Sequence, residues 1–180
     1  MFSCDLNAKT SLKILTLDDA PALFELTDQN RDHLRVWLPW VDKNQTVEDS
    51  RNFIKSTLVQ LSHDNGFQAG IWFEGRLAGV VGHHAVNRAH DYTTLGYWLG
   101  EDFQGYGIMT LAVKEFTRYS FAVMKMNRVE IRCAVSNEKS RAIPERLGYK
   151  LEGELRAMEK LPQGFVNHAV YSVLADEFLI

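Results

Sequence analysis

Apolar residues recur along the chain at two periods, one of helices and one of strands. Lys13-Ile14-Leu15 has the character of a first strand. Asp18 and Asp19 then supply N-cap character to a helix that carries Ala22, Leu23 and Leu26 on one face. A second helical region holds Leu34, Trp37, Leu38 and Trp40, and Pro39, which has no amide hydrogen, interrupts it. Thr46-Val47-Glu48-Asp49 resembles a capping box with Asp in place of the usual Glu. Val47, Phe53, Ile54, Leu58 and Leu61 follow at helical spacing and predict a third helix.

The pattern then changes to strands. Apolar runs at 67–73 and 77–84 flank Glu74-Gly75-Arg76 and predict a β-hairpin, with another strand at 93–99. Ile108, Leu111, Ala112, Glu115, Phe116 and Tyr119 recur every three or four residues, giving a mostly apolar helical face directly after a glycine-containing turn. Over 129–135, Val129, Ile131 and Cys133 alternate with Glu130, Arg132 and Ala134, the period of a strand. A short helix ends at Leu147 with Gly148 just past it, and strands follow near 149–158 and 166–174. About seven strands and four helices in mixed α/β order are predicted. No repeat, linker or low-complexity tract divides them, so residues 1–180 read as a single domain.

Composition narrows the classes. The 180 residues are 46% hydrophobic and 24% charged, which is globular rather than disordered. A net charge of −3 argues against binding a phosphate backbone, so direct nucleic-acid binding is not expected. Cys4 and Cys133 form neither a disulfide framework nor a zinc-ligand spacing, which points to a reducing, cytoplasmic compartment. The first residues lack a basic region followed by an apolar run, and no stretch of about 18 apolar residues occurs, so neither secretion nor membrane spanning is expected.

The chemistry concentrates in Leu99-Gly100-Glu101-Asp102-Phe103-Gln104-Gly105-Tyr106-Gly107-Ile108-Met109, between a strand and an amphipathic helix. Gly105 and Gly107 can take backbone angles closed to residues with a Cβ. Successive N–H groups can then converge on an anion at the helix N-terminus, where the macrodipole also favours negative charge. A tight turn without a ligand is the alternative. A nucleotide P-loop is excluded because no G-x-x-x-x-G-K-[ST] sequence occurs, and Thr110 stands where a dinucleotide fingerprint needs its third glycine.

Gln104-Gly105-Tyr106-Gly107 resembles the Q/R-x-x-G-x-G/A signature of the GCN5-related N-acetyltransferases (GNAT). The resemblance extends to Gly96-Tyr97-Trp98-Leu99, Asn137-Glu138-Lys139-Ser140-Arg141, Glu145-Arg146-Leu147-Gly148-Tyr149 and Glu152-Gly153. From about residue 9 onward the chain is similar to the RimJ/RimL-like branch, which acetylates ribosomal-protein N-termini. Met109 departs from the small residue usual in the superfamily.

This resemblance implies an α/β GNAT fold with a mixed, mostly antiparallel sheet, in which the strands at 93–99 and 129–135 diverge to admit acetyl-CoA. It implies that Gln104, Gly105, Tyr106, Gly107, Ile108 and Met109 hold the pyrophosphate, chiefly through backbone amides. Trp98 and Leu99 would offer main-chain groups to the pantetheine arm, and Asn137 would reach it from the next strand's end. The tyrosine that many relatives use to protonate the departing thiolate is replaced by Pro144, and Ser140 matches the serine of this branch. A helix N-cap is the other role open to Ser140. Glu159 matches the proposed proton acceptor, with a surface pairing to Lys160 as its alternative. Trp37 and Trp40 fall where relatives place part of the acceptor pocket, with core packing expected for at least one.

No metal is implied. His83 and His84, adjacent on a strand, would point to opposite faces, and His33, His63, His90 and His168 show no ligand spacing, although a histidine near the cleft is an alternative base. Cys133 is not expected to act as a nucleophile. The implied activity is direct acetyl transfer from acetyl-CoA to a protein N-terminus. The alternatives are a small amine acceptor (polyamine, amino acid or antibiotic) and a non-catalytic acetyl-CoA-binding interaction protein. A homodimer is implied by the resemblance alone.

Overall fold

In the computed structural model, which describes residues 3–178, the chain begins with β1 (Ser3–Asp5) and β2 (Thr10–Ile14). Then come α1 (Ala20–Gln29), α2 (Arg31–Arg35), α3 (Val47–Ser62), β3 (Gln68–Phe73), β4 (Arg76–Asn87) and β5 (Tyr92–Leu99). The chain continues through α4 (Ile108–Ala122), β6 (Arg128–Ala134), α5 (Glu138–Arg146), β7 (Lys150–Leu161) and β8 (Gly164–Leu174). The strands form one eight-stranded sheet in the order β1-β2-β3-β4-β5-β6-β8-β7. Every neighbouring pair is antiparallel except β5 with β6. Met1, Phe2, Leu179 and Ile180 lie outside the described residues.

Local sequence accounts for most of these elements. Glu74 and Gly75 both adopt positive φ (48° and 80°), which lets a two-residue turn join β3 to β4. Thr46 caps α3 by accepting from the Asp49 amide at 3.2 Å, and Asp49 answers by accepting from the Thr46 amide at 2.8 Å. The apolar face of α4 buries Ile108, Ala112, Val113 and Phe116, and α4 packs on β4, β5 and β6. Burying each such aliphatic or aromatic side chain stabilises the fold by about 1.5–3 kcal/mol.

His83 is fully buried in this core. Its Nε2 lies 3.1 Å from Ser120 Oγ, a hydroxyl that also reaches the Phe116 carbonyl at 2.8 Å. Its Nδ1 lies 3.1 Å from the Phe67 carbonyl and 3.2 Å from the Phe67 amide, so the ring is engaged at both nitrogens. Burial pushes its pKa down to about 4.

Four details differ from the sequence reading. Among the described residues the sheet has eight strands, not seven, because Ser3–Asp5 pairs with β2 at the edge and three residues are too few to show a period. The described residues hold five α-helices rather than about four, and the second helical region splits into α2 and a 3-10 turn (Pro39–Lys43) that Pro39 begins instead of breaking. The entry to α1 is stabilised further upstream, where Asp19 accepts from both the amide and the hydroxyl of Thr16 (2.7 and 2.9 Å). In α3, Val47, Phe53, Ile54 and Leu58 face the core as expected, but Leu61 is exposed and the polar Ser50 and Thr57 are buried beside Ile54.

Candidate active site

Parallel pairing of β5 with β6 runs from Tyr92↔Arg128 to Leu95↔Ile131 and stops there. Beyond that point Gly96 to Leu99 pair only with β4, while Arg132 to Ala134 pair only with β8. The sheet therefore splits between β5 and β6, as expected, and backbone groups on both lips lose a strand partner. Such groups accept a peptide-like chain in place of the missing strand. The split opens into a cleft of ≈ 1420 Å³.

One end of the cleft is the N-terminus of α4. Gly105 and Gly107 both lie in the left-handed region (φ 84° and 72°), and Gly107 is the N-cap without any side-chain cap. The first amides of α4 thus have no capping acceptor from a side chain, which leaves them to meet an anion. Gln104, Gly105, Gly107, Ile108 and Met109 all line the cleft, but Tyr106 does not. Tyr106 is 63% exposed, and its ring lies against Phe73 with centroids 5.2 Å apart. The Gln104 side chain joins two neighbouring elements, receiving from Lys139 Nζ at 2.7 Å and meeting His33 Nε2 at 2.9 Å. Lys139 and Arg146 of α5 make this end of the cleft cationic.

The middle of the cleft is set by α5. Asn137 is the N-cap of that helix, its Oδ1 accepting from the Ser140 amide at 3.1 Å. Ser140 is therefore not the cap, and its hydroxyl is free for other work; it donates to the Tyr97 hydroxyl at 3.4 Å, and Tyr97 donates to the Ser140 carbonyl at 2.9 Å. Burial pushes the Tyr97 phenol far above its ordinary range, so it stays protonated. Cys133 is 7% exposed, and burial likewise raises its thiol. Pro144 is buried inside α5 and carries no hydroxyl to the cleft.

The opposite wall comes from the other sheet face and the β7–β8 hairpin. Strand alternation puts Tyr97 and Cys133 toward α5, and Thr94, Trp98, Arg132 and His168 on the reverse face. There His168 Nε2 donates to Glu159 Oε2 at 2.9 Å. Glu159 is thus paired with His168, and Lys160 turns instead to the Phe165 ring at 6.0 Å. Trp37 lines the cleft, whereas Trp40 is tied to it through Trp98, ring centroids 5.8 Å apart. His84 sits over Gly96, where an added Cβ would fall 1.9 Å from the imidazole.

The structure thus gathers nearly all the predicted residues around one opening, and Tyr106 and Trp40 stand at its margin. Sequence reading missed Tyr97 as the partner of Ser140, although it lies in a quoted motif, and missed the specific pairing of His168 with Glu159. The latter gives no sequence signal because register across a hairpin brings the two together. Among the described residues no group of three or more His, Cys, Asp or Glu is placed to hold a metal ion, and no helix is long and apolar enough to cross a membrane.

Residues 10–150 match the family model described as Acetyltransferase (GNAT) domain. YdaF of Bacillus subtilis (strain 168), provisionally named a ribosomal N-acetyltransferase, is 36% identical over 157 residues, covering 87% of this chain and 86% of that protein. The ribosomal-protein-serine acetyltransferase of Escherichia coli (strain K12) is 28% identical over 156 residues, 86% of each chain. The spermidine N(1)-acetyltransferase of the same organism is 30% identical over 82 residues, only 46% of this chain and 44% of that protein. Among solved structures, the microcin C7 self-immunity acetyltransferase MccE in complex with acetyl-CoA and AMP superposes with a TM-score of 0.89 and 29% identity, covering 94% of each chain.

Proposed function

The chain belongs to the GNAT acetyltransferase family and is an acetyl-CoA-dependent N-acetyltransferase of the ribosomal-protein type, and from that premise we propose that its acceptor is the N-terminal α-amine of a ribosomal protein, acetylated by direct transfer in a ternary complex. The observation that carries this reading is the split sheet. Its opening has an uncapped helix N-terminus and cationic side chains at one end and the Glu159–His168 pair on the reverse face. Two reactants can therefore meet across the gap without an enzyme-bound acyl group.

The residues fit acetyl-CoA, which supplies a thioester-activated acetyl group. Backbone amides from Gln104 to Met109 receive the pyrophosphate, with Lys139 beside them. The unpaired edge at Trp98 and Leu99 aligns the pantetheine arm. Asn137 also faces this arm through the part of its side chain not used in capping α5. An α-amine with a reference pKa of ~7.7–8.0 is partly neutral near pH 7, whereas a lysine amine at ~10.4 is almost wholly protonated, so a modest base suffices for the former. Glu159 is that base: a carboxylate oxygen takes the amine proton through water. Ser140 Oγ turns its single proton from the long 3.4 Å bond to Tyr97 toward the departing sulfur. Cys133 keeps its proton and takes no acyl group.

Relatives of the ribosomal type align over most of the chain, and the spermidine enzyme over less than half, which supports a protein acceptor. Trp37 and Trp40 border the acceptor side. We place the protein, as one catalytic domain, in the cytoplasm with its substrate, and read it as a homodimer. Two-substrate kinetics with a serine-led peptide and with spermidine test the proposal. Intersecting initial-rate lines and a larger kcat/KM for the peptide are expected; parallel lines would refute direct transfer, and a preference for spermidine would move the acceptor to small amines.

A further inference from the structure

The β7–β8 hairpin is not regular where it approaches the cleft. Leu155 pairs with His168, but the next registered pair is Glu159 with Val166, so Arg156, Ala157 and Met158 all oppose the single residue Asn167. Continued without interruption from Leu155↔His168, the register would set Glu159 opposite Gly164, at the hairpin's end. The two extra residues instead draw Glu159 back by two positions, about 7 Å along β8. Because the excess is two, the alternation of faces is preserved, and Glu159 emerges on the same face as Val166 and His168. Its carboxylate then meets the His168 ring at 2.9 Å inside the cleft.

Two features hold this bulge. Ala157 adopts φ 49°, a left-handed conformation that a residue with a Cβ takes only when its surroundings impose it. The imposing contact is Asn167, whose Oδ1 accepts from the Ala157 amide at 2.9 Å while its Nδ2 lies 3.5 Å from Glu154 Oε2. Asn167 is itself anchored, since its carbonyl accepts from the Val135 amide at the end of β6, at 2.9 Å. The chain from the β6 lip of the cleft to the Glu159 carboxylate is therefore continuous: Val135, Asn167, the bulge, Glu159 and back to His168.

We infer that Asn167 and His168 are positioning residues for Glu159, the first by holding the bulge that carries it into the cleft and the second by fixing its carboxylate. This rests on the reading of Glu159 as the proton acceptor. Bulges near active sites commonly re-aim one side chain, and a displacement of about an ångström at a reacting group lowers rates up to roughly a hundredfold. The residues act on the acceptor side, so acetyl-CoA binding is not their business.

The test measures kcat and the KM for acetyl-CoA, with a serine-led peptide as acceptor, for Asn167→Ala, Asn167→Asp, His168→Leu, His168→Gln and Glu159→Gln. Asn167→Ala and His168→Leu are expected to lower kcat roughly ten- to a hundredfold with the KM for acetyl-CoA unchanged. His168→Gln keeps an N–H donor for Glu159 and should recover most of the loss, whereas Asn167→Asp keeps an oxygen for the Ala157 amide but sets a second carboxylate against Glu154 and should recover only part of it. If Asn167→Ala does not fold, the two His168 variants and Asn167→Asp carry the comparison. Wild-type kcat in Asn167→Ala and His168→Leu beside an impaired Glu159→Gln overturns the positioning role and leaves the base assignment standing. Conservative variants no better than the truncations, or a loss shared by the acetyl-CoA KM, overturn it as well. Wild-type kcat in Glu159→Gln removes the base assignment itself, and the positioning role with it.

Discussion

Replacing Gly107 with alanine isolates the backbone contribution of the loop that precedes α4. At φ 72° and ψ 4° the residue is left-handed, and a Cβ built on it meets no protein atom within 4 Å. The penalty is therefore conformational: a left-handed residue with a Cβ costs roughly 1–2 kcal/mol, offset by about 0.4–1 kcal/mol from a stiffer unfolded chain. A net loss near 1 kcal/mol lowers the Tm of a chain this size by about 2–4 °C. Affinity should suffer more. Relief of the strain rotates the first amides of α4, and each N–H lost from a charged oxygen is worth about 1.5–3 kcal/mol, so the Kd for coenzyme A should rise roughly ten- to a hundredfold. Gly75 is a matched control: it too is left-handed, at φ 80°, with nothing within 4 Å of an added Cβ, and it sits in the β3–β4 turn outside the cleft lining. Calorimetric titration of coenzyme A with both variants should show similar Tm losses and a Kd change in Gly107→Ala alone. Equal Kd values for the two variants would refute the loop as the phosphate site.

Three further outcomes are expected. Ser140→Ala should lower kcat while leaving the Tm within a degree or two of wild type, because Asn137 and not Ser140 caps α5; unchanged kcat in a stopped assay would remove the hydroxyl from the reaction. Cys133→Ala should retain turnover, since burial keeps the thiol protonated, and an inactive variant that still binds acetyl-CoA would point to a covalent route. Acid should destabilise the fold through His83. Its folded pKa of about 4 lies below the ordinary 6.5, so the unfolded chain takes up a proton that the folded one refuses; stability is full above pH 6.5 and declines toward pH 4, by about 3 kcal/mol in total. Glu152, held down to about 2 by Arg128 and Ser172, adds its own loss only below about pH 4.5. Burial lowers the pKa of His84 as well, so urea unfolding at pH 7, 6 and 5 reads the two histidines together, and a flat profile would contradict their buried neutral state.

Period and punctuation made most of the fold legible. The β3–β4 hairpin follows from two apolar runs around Glu74-Gly75, and α3 from a capping box that forms as read. The glycine loop that opens α4 was equally visible, because Gln104 to Met109 are contiguous and their glycines have a local conformational meaning. The Glu159–His168 pair was not. Glu159 and His168 are nine residues apart on different strands, and their meeting depends on a bulge whose left-handed residue is an alanine rather than a signalling glycine. Tyr97 escaped for a similar reason: its hydroxyl finds Ser140 only after β5 and α5 pack together. β1 escaped because a three-residue edge strand is too short to carry a period.

The most direct test of the acceptor assignment is tandem mass spectrometry of one serine-led peptide carrying an internal lysine, incubated with the protein and acetyl-CoA, beside a twin whose N-terminus is already blocked. The predicted result is a single acetyl group on the α-amine of the free peptide and none on its twin. Acetylated lysine in both peptides, or no acetylation of either by protein that binds acetyl-CoA, would contradict transfer to a protein N-terminus.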